Sequence, residues 1–228
     1  VFTSGMDCSE LCLLIARTAS TGKKHEGITN FLIDTKLPGI DIKKIKTLGQ
    51  RAIGTTQVFY NDVQVPKTAV LGKVGEGWRS VDAYIWYERL CLSAARTGAA
   101  TAAFEYALNY AKTRKQFGVP IGKFQVLQHR MVDCFTNAQE ARSMTLMASL
   151  KIDDKDPIVR RKAASGAKVQ IGKSGKFCGQ SAVQMHGGMG VTDELSVSHY
   201  FKRLTMIDLM FGNQQHHLTR YSNLAMAA

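Results

Sequence analysis

The sequence has 228 residues, 45% of them hydrophobic, and 30 Lys and Arg against 18 Asp and Glu give a formal charge of +12. This length allows one large domain or two small ones, each able to bury a core, and no apolar run is long enough to suggest a membrane span. The basic residues are scattered, without a basic run interleaved with aromatics, which argues against nucleic acid and fits a phosphate-bearing partner such as a nucleotide cofactor or coenzyme A equally well.

The opening Val1-Phe2-Thr3-Ser4-Gly5 has no initiator Met, basic leader or apolar signal core, and reads as if the chain began inside a strand. Residues 1 to about 70 have strand texture. The apolar run Leu11 to Ala16 is followed by the turn Thr21-Gly22-Lys23-Lys24-His25-Glu26-Gly27 and a second strand, Ile28 to Asp34. After Pro38-Gly39, Ile40, Ile42 and Ile45 predict a third strand, and Gln57 to Val65 a fourth that ends at Pro66. No βαβ signal is present, so the strands form an antiparallel piece.

Beyond the hinge Gly72 to Gly77 the chain is predicted to be helical throughout. Gly77 to Gly118 contains no proline and repeats apolar residues every three or four positions, with Val81, Ile85, Leu92, Ala95, Ala103, Ala107, Tyr110 and Ala111 on the buried side. A second helix, about Lys123 to Ile152, turns Val126, Leu127, Met131, Phe135, Ala138, Met144, Met147 and Leu150 inward. Asp156 is an N-cap with Pro157 at the first helical position of a third helix, about 157 to 186. The glycines of Gly187-Gly188-Met189-Gly190 supply positive-φ positions. Thr192 then caps a fourth helix with Asp193 and Glu194 in its first turn, and Gly212 divides it from a final helix, about Gln214 to Met226. The expected fold is α+β: a partial antiparallel β domain, residues 1–72, followed by an up-and-down four-helix bundle of long helices, residues 73–228.

Cys8, Cys12, Cys91, Cys134 and Cys178 are an odd set without CxxC spacing. They predict free thiols acting as small buried hydrophobes in a reducing compartment, with no metal site. Glu88, in Trp86-Tyr87-Glu88-Arg89-Leu90, is a carboxylate on a mostly apolar helix: a base whose affinity for protons is raised by desolvation, or a surface Glu beside a snorkelling Arg. Arg114, Gln116 and Phe117 offer a guanidinium and an aromatic face at a helix end, although Arg114 and Lys115 would also suit the helix dipole alone. His216 and His217 are adjacent and therefore on different faces. The glycines after His186 lack the third glycine and preceding strand of a dinucleotide fingerprint.

At these residues the chain resembles the acyl-CoA dehydrogenase family. The resemblance rests on Thr3-Ser4-Gly5; on Pro38-Gly39, Thr47-Leu48-Gly49 and Val63-Gln64-Val65-Pro66; on Tyr110 to Gly118 with Pro120-Ile121 and Phe124-Gln125; and on Gln184 to Gly190 with Thr192-Asp193-Glu194. It covers the whole chain and implies the late strands of a middle β domain followed by the C-terminal helical domain. It also implies FAD at a subunit interface, an acyl-CoA thioester as substrate, an electron-transfer flavoprotein as electron acceptor and a homo-oligomer or mixed tetramer. Carried onto this sequence, the resemblance implies that Thr3 faces the flavin ring, that Arg114 and Phe117 meet the pyrophosphate and adenine half across the interface with Gln125 nearby, and that Gln184 and Gly188 add further contacts from that same neighbouring subunit.

In many members the catalytic base is a glutamate before a Gly-Thr pair, whereas this sequence has Phe211-Gly212-Asn213. A subset similar to isovaleryl-CoA dehydrogenase carries the base on the first long helix, where Glu88 stands, with Arg89 holding the carboxylate or the substrate. The stretch from Tyr200 to Leu218 also resembles the small subunit of pimeloyl-CoA dehydrogenase. Two expectations follow for the intact protein: a cytoplasmic FAD-dependent acyl-CoA dehydrogenase of fatty acid metabolism, or a non-catalytic subunit that completes a partner's FAD site.

Overall fold

The computed structural model describes residues 1–20 and 22–226. The chain divides into two compact units, Val1–Ile85 and Trp86–Ala228, with the boundary inside the first long helix.

The first unit holds two antiparallel three-stranded sheets. One has β1 (Thr3–Ser4) beside β5 (Thr55–Tyr60) and β4 (Ile40–Ile45); the other has β2 (Leu11–Arg17) beside β3 (Ile28–Asp34) and β6 (Val70–Leu71). The expected strands at Leu11, Ile28 and Ile40 are present. The β2–β3 register runs from Leu11 opposite Asp34 to Arg17 opposite Ile28, and β4–β5 from Ile40 opposite Tyr60 to Ile45 opposite Thr55. The expected fourth strand is shifted toward the N-terminus. It starts at Thr55 and ends at Tyr60, where Asp62 takes a φ of 49° and the chain leaves the ladder. The two-residue strands β1 and β6 are too short to show a period. In the turn before β3, Gly27 is required, since a Cβ there would meet the Ala19 backbone; Thr21 of the expected turn lies outside the described residues.

The second unit is built on long helices. α1 is Gly77–Thr113, α2 Gln125–Lys151, α3 Pro157–His186, α4 Ser196–Leu209 and α5 Gln214–Met226. The helical run is not continuous: α1 stops at Thr113, five residues before Gly118, and a small hairpin of β7 (Lys115–Gln116) and β8 (Val119–Pro120) precedes α2. Phe117 and Gly118, both left-handed with φ of 54° and 79°, make its two-residue turn. α3 starts as its cap dictates, with Asp156 Oδ1 accepting from the Ile158 N–H at 2.7 Å.

The main core joins Ala100, Ala103, Ala107 and Ala111 of α1 to Met131 and Cys134 of α2, Cys178, Ala182 and Met185 of α3, and Val197 and Leu204 of α4. A second cluster packs Ala141 and Ala148 against Ala167 and Ile171. Small side chains thus fill the seams, and the expected inward faces need correction. Ala95 is exposed, its place on the inner face of α1 taken by Ser93, Arg96 and Thr97. Val126, Phe135 and Leu150 are 68%, 51% and 84% exposed, while Cys134, Ala141 and Ala148 are buried. All five cysteines are free thiols, but Cys8 and Cys91 are exposed rather than core.

Two further corrections concern the end of α3. Of the three glycines at 187, 188 and 190 only Gly187 has a positive φ, 60°; Gly190 is needed instead because a Cβ would run into the Val183 backbone. The segment Gly187–Val191 is a short 3-10 turn closed by the Thr192 hydroxyl on the Met189 carbonyl, and α4 begins only at Ser196, so Asp193 and Glu194 precede it.

Candidate active site

A buried polar cluster of the second unit lies at the turn between α4 and α5, the place of Phe211-Gly212. Phe211 has a φ of 54° and Gly212 of 102°, and a Cβ on Gly212 would stand 2.5 Å from His216 Cδ2, so this turn closes only with glycine at 212. A left-handed phenylalanine costs on the order of 1 kcal/mol and persists only where its surroundings hold it.

Side chains from three helices do so. Lys168 on α3 donates from Nζ to the carbonyls of Ile207 at 3.2 Å and Met210 at 2.9 Å. His217 on α5 reaches the Phe211 carbonyl from Nε2 at 3.0 Å, and Arg89 on α1 reaches the same oxygen from Nε at 3.5 Å. Because a carbonyl only accepts, His217 carries its proton on Nε2, which leaves Nδ1 to accept from the Ser165 hydroxyl at 3.3 Å. The C-terminal carbonyls of α4 therefore end on cationic or N–H donors instead of water.

Beneath the turn, Arg96 is 2% exposed and makes an ion pair with Asp208, 2.8 Å from NH1 to Oδ1, while its NH2 donates to the Gly172 carbonyl at 2.9 Å. A Cβ on Gly175 would overlap the Arg96 Nε and one on Gly172 would crowd the Asp208 carboxylate, so these α3 glycines open the channel that the guanidinium fills. Burial lowers the affinity of all three bases for protons. It pushes Arg96 below the usual range against the pull of Asp208, takes Lys168 down to about 8 with Arg96 adding repulsion, and takes His217 to about 4. His217 is neutral at pH 7 and Lys168 is poised close to its titration point.

Glu88 and Arg89 are both half-buried. Arg89 also stacks on Trp86, 4.6 Å from guanidinium carbon to ring centroid, with Arg220 at 4.6 Å and Arg161 at 5.9 Å on the same indole. The neighbour of the expected base therefore touches the turn between α4 and α5.

The expected cofactor contacts lie elsewhere. Arg114, Phe117 and Gln125 surround the hairpin between α1 and α2, where Phe117 is 89% exposed and 6.0 Å from Phe124, centroid to centroid. Gln184 and Gly188 are exposed at the end of α3, and the Tyr110–His186 stack, 4.2 Å between centroids, ties that end to the end of α1. Along α1 this group is about 38 Å from Arg89. The fold gathers Arg114, Phe117, Gln125, Gln184 and Gly188 at one end of the bundle and keeps Glu88 and Arg89 at the other. Thr3 belongs to the first unit, where its carbonyl accepts from the Thr56 hydroxyl at 2.9 Å.

Sequence reasoning missed Arg96, Lys168, Asp208 and His217. The signal for Lys168 was its place on the stripe Ala163, Ala164, Ala167, Lys168, Ile171, where a lysine interrupts a buried face. Arg96 had no comparable signal, because the room for it is supplied by glycines on another helix.

Comparison with known proteins agrees with this fold. The family "Acyl-CoA dehydrogenase, C-terminal domain" matches residues 75–223. The human short-chain specific acyl-CoA dehydrogenase of mitochondria is 29% identical over 86% of this chain and 48% of its own length. The bovine mitochondrial short/branched chain specific acyl-CoA dehydrogenase is 32% identical over 83% of this chain and 44% of its own. Butyryl-CoA dehydrogenase from Megasphaera elsdenii superposes with a TM-score of 0.89 at 26% identity, covering 99% of this chain and 58% of that one. The chain spans about half the length of the curated relatives it matches.

Proposed function

The chain belongs to the acyl-CoA dehydrogenase family, and on that premise we propose that the whole protein carries out FAD-dependent α,β-dehydrogenation of an acyl-CoA thioester, with Glu88 as the base. The observation that carries this reading is the contact of Arg89 with the Phe211 carbonyl, which links the Glu88 stretch to the α4–α5 turn. Phenylalanine at 211 cannot take a proton, yet it retains its peptide N–H.

The donor set at the far end of the bundle suits a dinucleotide. Arg114 offers a guanidinium to a pyrophosphate, exposed Phe117 an aromatic face to a ring, Gln125 and Gln184 offer amides, and Gly188 has open space where a Cβ would stand. These residues of one subunit, across an interface from Thr3 of its neighbour, would hold FAD. When bound, FAD supplies the acceptor for the hydride lost from the β-carbon.

The chain's own residues have three tasks. Glu88 takes the α-proton, which a carboxylate can do only if negative charge on the thioester oxygen is stabilised. The Phe211 N–H is the donor for that oxygen. Arg89, fixed between Trp86 and the Phe211 carbonyl, orients the base and the substrate. We read residues 1–72 as late strands of a middle β domain and 73–228 as the C-terminal bundle domain. The same reading gives an electron-transfer flavoprotein as electron acceptor, a homo-oligomer, and a cytoplasmic location in keeping with five free thiols. No helix among the described residues is long and apolar enough to cross a membrane.

A second reading, in which the protein completes a partner's FAD site in a mixed assembly without catalysing, is favoured by Phe211 itself. The two are separated by purifying the intact protein alone and adding acyl-CoA anaerobically. Flavin that bleaches in wild type and not in Glu88→Gln supports the enzyme; retained flavin that no thioester bleaches supports the auxiliary subunit.

A further inference from the structure

We infer that Lys168 is a positioning residue for the reaction, because it fixes the direction in which the Phe211 N–H points. This rests on the dehydrogenase reading of the turn. All peptide bonds of the described residues are trans, and across a trans peptide plane the C=O of one residue and the N–H of the next point in opposite directions. The Met210 carbonyl is drawn toward Lys168 Nζ at 2.9 Å, so the Phe211 N–H in the same plane is turned away from the buried cations. The next plane is held alike. The Phe211 carbonyl accepts from His217 at 3.0 Å and from Arg89, so the Gly212 N–H also points away from the cluster.

Lys168 is suited to this because it has nowhere else to go. It is 3% exposed, and its ammonium also binds the Ile207 carbonyl at 3.2 Å, so two carbonyls at the C-terminal end of α4 share one donor. The groups that act on it come from every element around it: Arg89 and Arg96 on α1, Asp208 on α4 and His217 on α5. Asp208 is the one carboxylate among them, and it is shared with Arg96. Losing the proton on Lys168 would slacken its hold on Met210 while leaving Arg96–Asp208 intact. Sequence spacing alone joins none of these residues, and Lys168 touches neither base nor substrate in this scheme.

The test uses the intact flavin-loaded protein and an acyl-CoA analogue that has no β-hydrogen to lose, labelled with 13C at the thioester carbonyl, followed by isotope-edited infrared spectroscopy. Hydrogen bonding to the carbonyl lowers its stretching frequency, so the frequency reads the Phe211 N–H without turnover. In Lys168→Met the downshift seen in wild type is expected to fall by at least about half, with kcat lowered about ten- to a hundredfold and KM little changed. Lys168→Arg is expected to restore both. A Lys168→Met protein with the wild-type frequency overturns the inference, as does a lost downshift that arginine does not rescue.

If Lys168→Met does not fold, pH decides. The wild-type downshift and kcat should decline as pH rises through about 8, and Lys168→Arg should be flat there. A flat wild-type profile overturns the inference. A wild type with no carbonyl downshift at all defeats the dehydrogenase reading and the role of Lys168 with it, whereas a wild-type downshift unchanged in the variant defeats Lys168 alone.

Discussion

Arg96 and Asp208 form an ion pair across 112 residues of sequence, 2.8 Å apart, with the arginine side chain 2% exposed and the aspartate 27%. Removing one partner strands a charge in the bundle. Asp208→Ala is therefore expected to destabilise the protein by about 3 kcal/mol in urea unfolding, more than surface-carboxylate substitutions, which lie within about 0.5 kcal/mol. A change of that smaller size would mean that Arg96 finds water or another partner when Asp208 is lost.

Two glycines on neighbouring helices should respond oppositely to one methyl group. Gly175→Ala places a Cβ against the buried Arg96 Nε and is expected to cost about 1–3 kcal/mol. Gly98→Ala, in the exposed part of α1 with nothing within 4 Å of the new Cβ, is expected to add up to about 1 kcal/mol of stability. Thermal melts of the two variants beside wild type measure both signs.

His217 sets an acid limb on stability. Its folded proton affinity, about 4, lies below the ordinary histidine value of about 6.5 in the unfolded chain. Between these values the unfolded state binds a proton that the folded state refuses. The stabilising contribution of neutral His217 is present above pH 6.5 and lost as pH falls toward 4, by at most about 3 kcal/mol. Unfolding free energies measured from pH 7 to pH 4 should fall less steeply in His217→Gln. Parallel slopes in the two proteins would show that His217 is not what titrates.

Arg114 and Phe117 are expected to act on flavin retention and not on the fold. Both side chains are exposed at the hairpin, so Arg114→Gln and Phe117→Ala should leave the melting temperature within a few degrees of wild type. In the intact protein, Arg114→Gln should raise the flavin dissociation constant at least about tenfold, so that less flavin per protomer survives gel filtration, in line with loss of a charge-assisted contact to phosphate. Full retention in both variants would remove this end of the bundle from the cofactor site.

Several elements were legible because their chemistry is local. The β-branched Ile40, Ile42 and Ile45 after Pro38-Gly39 marked β4, and Asp156-Pro157 marked the start of α3. Other features depend on neighbours distant in sequence. Val126, Phe135 and Leu150 carry the helical period that usually marks a core, yet the seams of this bundle are filled by alanine, glycine and cysteine, so the larger side chains stay outside. Thr192-Asp193-Glu194 has the composition of a helix start, but the Thr192 hydroxyl closes the preceding 3-10 turn instead. At the candidate site, Glu88, Arg89 and Phe211 could be singled out from sequence. Lys168 stands out only as a lysine on a buried stripe, and its role, like those of Asp208 and His217, arises only where α3, α4 and α5 meet.

The placing of the base on α1 is tested most directly by stopped-flow reduction of the flavin in the intact protein, mixing acyl-CoA with wild type and with Glu88→Gln in the absence of oxygen. The expected result is flavin bleaching in wild type and a rate at least about a thousandfold lower in the variant, with thioester binding retained. Bleaching at the wild-type rate in Glu88→Gln would contradict it and return the search for the base to other residues.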